Sequence, residues 1–311
     1  MAKRLVVVWP HGFCSGVARA VETAEMVLAR YRGGTVYCLN EIVHNRQVVA
    51  RLASLGMVFV DTVDAVPEGS LLLFSAHGVA PEVVRRAVAR RLRVIDATCP
   101  FVTKVHAEVR RFAAQGAHVI CIGHRRHEEV VGVAGEAPEH VSIVESAQEA
   151  ESLAVPADAL VAVVSQTTLG EAQVAAVMAV LRRRFPRLQL PASTDVCYAT
   201  RNRQLAVSLL ARECRRVLVL GSANSSNSQR LVETARAAVA EAVLVSELGQ
   251  LDGLGLAEAD AVGLTSGAST PESFLEEAVS CLRSRYGFPE PEVLTAAVED
   301  SHVFRLPALP G

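Results

Sequence analysis

The sequence predicts an α/β protein of three similar lobes, each a small, mostly parallel sheet flanked by helices. Three observations predict it. Short β-branched apolar runs alternate with amphipathic helical patterns along the chain, the mark of βαβ units. A cysteine recurs at three corresponding places, Cys14, Cys99 and Cys197, each after a strand-like run and at the opening of a helix. Two polar loops follow each of these cysteines.

The elements follow in order. Residues 3–8, "KRLVVV", read as a strand, and "GFCSGVARAVE" then opens a helix at Cys14. "TVYCL", "MVFV" and "LLLFS" are the strands of the first lobe. "RVID" leads into "DATCPFVTKVHAEV", which opens a helix at Cys99. "HVICI", "VSIV" and "LVAVVS" are the strands of the second lobe. "TDVCYATRNRQLAV" opens a helix at Cys197, and "RVLVL", "AVLV" and "AVGLT" follow as strands of the third. Runs of this length with little polar interruption are strands buried on both faces.

Cys14 and Cys99 are 85 residues apart, and Cys99 and Cys197 are 98 apart, a period of lobe size. The lobes are therefore 14–98, 99–196 and 197–290. Because a strand leads into Cys14 as one leads into Cys99, residues 1–13 are expected to complete the third lobe. Residues 291–311 are read as a carboxyl-terminal tail lying elsewhere.

The first loops are "EIVHNRQ", "GHRRHEEV" and "GSANSSNS". His44, Glu129 and Asn227 each stand 30 residues past their cysteine, which equates them by count. The second loops, "SAHGVAPE", "SQTTLGEA" and "TSGASTPE", hold His77, Thr167 and Ser269. All lie at carboxyl ends of strands, where open α/β sheets bind ligands.

The chain has 311 residues, half of them apolar, and a net charge of −2 with no long basic run, which argues against a nucleic-acid partner. No run of 18 apolar residues and no leader-like start are present, so a cytoplasmic protein is expected. Seven cysteines, an odd number, suit reduced thiols or metal ligands better than a disulfide framework. Cys38, Cys121, Cys214 and Cys281 fall inside strand or helix runs and read as buried structural residues.

A helix start favours a thiolate, the form that binds iron or zinc. Three thiolates facing one cavity suit iron better than zinc, which takes a fourth ligand. A four-iron, four-sulfur cluster on three cysteines has one iron left open as a Lewis acid. The loops add His44, Asn45, His77, His127, Gln166, Thr167, Thr168, Ser225, Ser226, Asn227 and Ser269, mostly neutral donors suited to an anion such as a diphosphate. Glu129 is repelled by an anion and makes better sense as a proton donor. Ser, Thr and Asn here also read individually as helix N-caps, and Glu128 with Glu129 as a solvated helix start.

At "GFCSGV", "EIVHN", "SAHGV", "DATCP", "SQTTL", "CYATRNRQ", "GSANSSNS" and "GAS" before "TP", the chain resembles the 4-hydroxy-3-methylbut-2-enyl diphosphate reductases, nearly end to end. These are the last enzymes of the methylerythritol phosphate route to isoprenoids. The resemblance implies a three-lobed α/β fold around a central iron–sulfur cluster held by Cys14, Cys99 and Cys197. It implies a diphosphate pocket from His44, His77, Ser225, Ser226, Asn227 and Ser269. His127, Thr167, Thr168 and Glu129 would then lie near the substrate's hydroxyl end. It implies reductive dehydroxylation to isopentenyl and dimethylallyl diphosphate, with Glu129 acting through Thr167 as acid. The electrons would come from reduced ferredoxin or flavodoxin, since no Gly-x-Gly-x-x-Gly nicotinamide fingerprint is present. Two departures are visible: Glu128 where the family typically has proline, and His11 where arginine is common. The rival readings are another three-cysteine cluster enzyme, such as quinolinate synthase, and a non-catalytic iron–sulfur carrier or sensor.

Overall fold

The computed structural model describes residues 3–238, 241–299 and 303–309. Its strands form three sheets, and every strand pairing among the described residues is parallel. The first sheet has the order β10 (Glu241–Val245), β9 (Arg216–Leu220), β11 (Ala261–Ser266), β1 (Arg4–Trp9) and β12 (Glu292–Thr295). The second runs β3 (Met57–Val60), β2 (Val36–Leu39), β4 (Leu71–Phe74) and β5 (Arg93–Asp96). The third runs β7 (Val141–Val144), β6 (His118–Ile122) and β8 (Val161–Ser165).

By contact the chain forms two units. One comprises residues 1–18, 44–51 and 198–303 and holds the first sheet. The other comprises residues 19–43, 52–197 and 304–311 and holds the second and third sheets.

In the first unit β1 shows why the apolar runs lack alternation. Leu5 and Val7 join a core with Val262, Leu264 and the apolar face of α10 (Glu272–Tyr286). Val6 and Val8 face the other way, into Ala206, Val207 and Leu210 of α8 (Tyr198–Glu213). Both faces of the sheet are covered, so both sets must be apolar. A Cβ on Gly263 of β11 would stand 2.7 Å from Leu210 Cγ, so the close approach of α8 needs glycine there.

The third sheet repeats the plan in the second unit. Ile120, Ile122, Val161 and Val163 pack on Val177, Val180 and Leu181 of α7 (Glu171–Arg184). Val119, Cys121, Ala162 and Val164 pack on α4 (Pro100–Ala114) through Val105, Val109 and Phe112. Cys121 serves here as a small apolar side chain.

One expectation is corrected. Residues 291–311 are not simply a tail, because Glu292–Thr295 forms β12 and continues the first sheet beside β1, with Val6 opposite Glu292 and Trp9 opposite Thr295. Without it β1 would leave its second row of backbone donors and acceptors unpaired.

Candidate active site

One device, used three times, fixes the repeated cysteines. The chain entering each lies parallel to a neighbouring strand: β1 beside β11, β5 beside β4, and Gln189 bridged to Ala162 of β8. Each cysteine then donates its backbone N–H to the carbonyl two residues past the end of that neighbour. Cys14 donates to Ala268 at 3.1 Å, Cys99 to Ala76 at 3.0 Å and Cys197 to Thr167 at 3.1 Å. Helices begin at once: α1 (Ser15–Arg30) after Cys14, α4 after Cys99 with Pro100 as its first residue, and α8 after Cys197. Proline suits that first position, where its missing N–H costs nothing.

The three thiols are half-buried at helix starts, and none of the seven cysteines is in a disulfide. The other four are buried. Burial pushes the thiols of Cys38 and Cys121 upward and that of Cys214 up to about 11, so these are poor ligands at neutral pH. Cys14, Cys99 and Cys197, each half-buried at a helix start, are chemically the fitting thiolate ligands for an iron–sulfur cluster.

The first polar loops align by their helix caps rather than by count. Asn45 Oδ1 accepts the amides of Gln47 and Val48, each at 3.1 Å, and caps α2 (Arg46–Ser54). His127 Nδ1 accepts the Glu129 amide at 3.2 Å and caps α5 (Glu128–Ala134). Ser225 Oγ accepts the Ser228 amide at 3.3 Å and caps α9 (Ser226–Ala237). Glu129 and Asn227 are each second in their helices, whereas His44 stands one residue ahead of its cap. The loop before α2 is longer, so the equal count from the cysteines is a coincidence for His44. His127 and Ser225 spend an acceptor on capping; with Nδ1 accepting, a neutral His127 carries its proton on Nε2.

In the unit holding the second and third sheets, Glu129 is only 2% exposed. Its Oε1 accepts the Thr167 amide at 2.7 Å and its Oε2 accepts the Thr167 hydroxyl at 3.0 Å. Burial drives its carboxyl up to about 7; the two bonds from Thr167 and the nearby His106 oppose the shift, and Asp195 adds to it. Thr167 thus joins the acid to Cys197, holding the carboxyl with its N–H and hydroxyl and the cysteine amide with its carbonyl. Gln166 donates from Nε2 to Thr168 Oγ1 at 2.9 Å and accepts the His124 amide at 3.0 Å, which fixes the Thr168 side of the loop. Glu128 points elsewhere: its Oε2 accepts from His77 Nδ1 at 3.0 Å, and the His77 ring meets His127 edge-on at 5.8 Å. Sequence reasoning missed this pair because its members stand 51 residues apart.

The titration of Glu129 predicts a pH effect on stability. Its value is about 7 folded against 4.5 ordinarily. Between these the unfolded chain has lost the proton while the folded chain keeps it. The group's contribution is therefore present below pH 4.5 and lost as pH rises through about 7. Glu129→Gln should raise the melting temperature at about pH 8 and confer much less near pH 4.5. Equal shifts at both would contradict the assignment.

In the unit holding the first sheet, Asn227 Oδ1 accepts the Ala268 amide at 2.8 Å. That bond fixes the amide's orientation, and Asn227 Nδ2 is buried with no partner among the described residues. Asn45 Nδ2 is the same. Ser269 Oγ donates to the His44 carbonyl at 2.9 Å, tying the two polar loops together. Gly221 and Gly267 face Ser228, whose Oγ would lie 2.2 and 2.1 Å from added Cβ atoms, so both strand ends need glycine. Two unsatisfied amide donors among capped helix starts suit an anion. His11 donates Nδ1 to the Val8 carbonyl at 2.7 Å, and its Nε2 lies 3.4 Å from Glu272, whose carboxyl it holds low.

Residues 5–283 match the model of the family described as LytB protein. The chain is 49% identical over 306 residues to the 4-hydroxy-3-methylbut-2-enyl diphosphate reductase of Rhodococcus opacus (strain B4), covering 98% of this chain and 90% of that one. It is 50% identical over 307 residues to the enzyme of the same name from Mycobacterium ulcerans (strain Agy99), covering 98% and 91%. Among solved structures it resembles the E-1-hydroxy-2-methyl-but-2-enyl-4-diphosphate reductase from Plasmodium falciparum, with a TM-score of 0.94 at 35% identity over 99% of this chain and 96% of that one.

Proposed function

Because the chain belongs to the LytB protein family, whose curated relatives here are reductases, we propose that this oxidoreductase acts on 4-hydroxy-3-methylbut-2-enyl diphosphate. It removes the hydroxyl reductively and releases isopentenyl and dimethylallyl diphosphate. The observation that carries this is the Thr167 junction, where a buried acid that keeps its proton to about pH 7 shares one residue with a helix-start cysteine. Cys14, Cys99 and Cys197 would hold a four-iron, four-sulfur cluster, which when bound supplies the electrons and a Lewis-acidic iron.

The chain's own residues do the rest. Glu129 holds a proton and passes it, oriented by Thr167, to the departing hydroxyl, which leaves as water. The C–O bond breaks, two electrons enter, and a second proton adds at either end of the allyl unit. Asn227 Nδ2, Ser225 and Ser226 would offer neutral donors to the diphosphate, together with His44 and His77, and the Ser269 hydroxyl, which otherwise holds the His44 carbonyl, would turn to it on binding. His127 and Thr168 sit beside the acid's own loops and would orient the hydroxyl end. Reduced ferredoxin or flavodoxin would deliver the electrons in the cytoplasm. No helix among the described residues is long and apolar enough to cross a membrane.

Anaerobic protein given the allylic alcohol diphosphate, dithionite and a dye mediator should consume two electrons per product. Dehydration without electron uptake, or reduction without product, would refute the proposal. The pocket is tested by a diphosphate analogue. His44→Ala, Asn227→Ala and Ser269→Ala should each weaken its binding by about 1–3 kcal/mol, as loss of a donor to a charged group does. Unchanged affinity in all three would dismiss the pocket.

A further inference from the structure

Each helix that follows a repeated cysteine carries a cation on its second turn, and that cation grips the chain entering another repeated cysteine. Arg19, five residues after Cys14, donates Nη1 to the carbonyl of Thr98, which precedes Cys99, at 3.0 Å. Lys104, five after Cys99, donates Nζ to the carbonyls of Ser193 at 3.0 Å and Thr194 at 3.2 Å, just ahead of Cys197. It also reaches Asp195 Oδ1 at 2.8 Å. Arg203, six after Cys197, donates Nη2 to the carbonyls of Gly12 at 2.9 Å and His11 at 3.4 Å, just ahead of Cys14. The contacts follow a closed order: from the helix of Cys14 to Cys99, from that of Cys99 to Cys197, and from that of Cys197 to Cys14.

Ordinary helix cations solvate their heads or pair with carboxylates along the same helix. Lys104 does meet Glu108 on its own helix at 3.5 Å, and Arg203 the Ala199 carbonyl at 3.2 Å, but all three also spend donors on backbone carbonyls far away in sequence. Arg203 is 0% exposed, its charge offset by Glu299 Oε1 at 2.8 Å. Asp195, gripped by Lys104, is itself buried and accepts the Ser165 amide at 2.9 Å, so Lys104 clamps a segment already tied to β8. Burying the Arg203 charge is tolerated because its donors are satisfied, by the His11, Gly12 and Ala199 carbonyls and by Glu299.

We propose that Arg19, Lys104 and Arg203 are positioning residues that set where Cys99, Cys197 and Cys14 respectively stand, and hence how firmly a metal centre on those thiols is held. The second clause rests on the cysteine assignment made above; the first does not.

Lys104→Met keeps side-chain length and removes the donors, and Lys104 is less deeply buried than Arg203. In anaerobic full-length protein this variant should lose iron to a chelator roughly 10–100-fold faster than wild type, the usual cost of removing a group that orients a ligand. Lys104→Arg should recover most of the difference. The same full-length chains, stripped of iron and treated with iodoacetamide, report positioning directly. Lys104→Met should speed alkylation of Cys197 and leave Cys14 unchanged, while Arg19→Met should speed Cys99 and leave Cys197 unchanged. Equal acceleration of all three cysteines, or of none, overturns the proposal. A wild type that binds no iron refutes the cluster, and the alkylation pattern then decides the positioning role alone.

Discussion

Glu129→Gln should cut turnover of the allylic diphosphate roughly 10²–10⁴-fold, the usual worth of a general acid, while iron content and substrate affinity stay near wild type. Glutamine keeps the shape and still accepts the Thr167 amide that Glu129 accepts at 2.7 Å. What it lacks is the proton that burial retains to about pH 7. Wild-type turnover should accordingly fall as pH rises through about 7, and the residual rate of the glutamine variant should not follow that profile. Glu128→Gln should cost little, because an amide oxygen can still accept from His77 Nδ1 where Glu128 now does so at 3.0 Å. Kinetics of the two variants with iron measured in each decide between the neighbours. A dead Glu128→Gln beside an active Glu129→Gln would move the acid by one residue.

The second large effect concerns the thiols. Cys14→Ala, Cys99→Ala and Cys197→Ala should each abolish the brown colour and iron content of anaerobic protein. The same change at Cys38, Cys121, Cys214 or Cys281 should leave the iron in place, although the cavity left in the core will cost stability. Cys121 shows why: it lies among Val105, Val109 and Phe112 rather than at a helix start. Iron retained by any of the first three, or lost equally from all seven, would contradict the assignment.

Strands such as Leu71–Phe74 and Val161–Ser165 were legible because they are buried on both faces, which leaves apolar runs that polar positions do not interrupt. The repeated cysteines were legible because each sits at the same strand-to-helix junction. β12 was not, since Glu292–Thr295 is an edge strand with one partner, and three of its four residues are exposed. Its pairing with β1 follows from a backbone edge, which no side-chain pattern announces. The equivalence of His44 with Glu129 failed for a different reason. Counting along the chain registers loop length as well as structure, whereas the caps at Asn45, His127 and Ser225 mark the helix starts themselves. A search for capping residues would have found this register. The cations at Arg19, Lys104 and Arg203 stand five, five and six residues past their cysteines, but the partners they share are carbonyls, which sequence does not distinguish from one residue to the next.

Mössbauer spectroscopy of anaerobic, iron-57-enriched protein tests the central claim most directly, that three cysteines at equivalent helix starts hold one cluster with one iron left open. A four-iron cluster on three thiolates has one iron unlike its neighbours. The account predicts four irons per chain, one of them with distinct parameters that change when the allylic diphosphate is added. Four irons indistinguishable from one another and indifferent to that ligand, or a colourless protein carrying zinc, would contradict it.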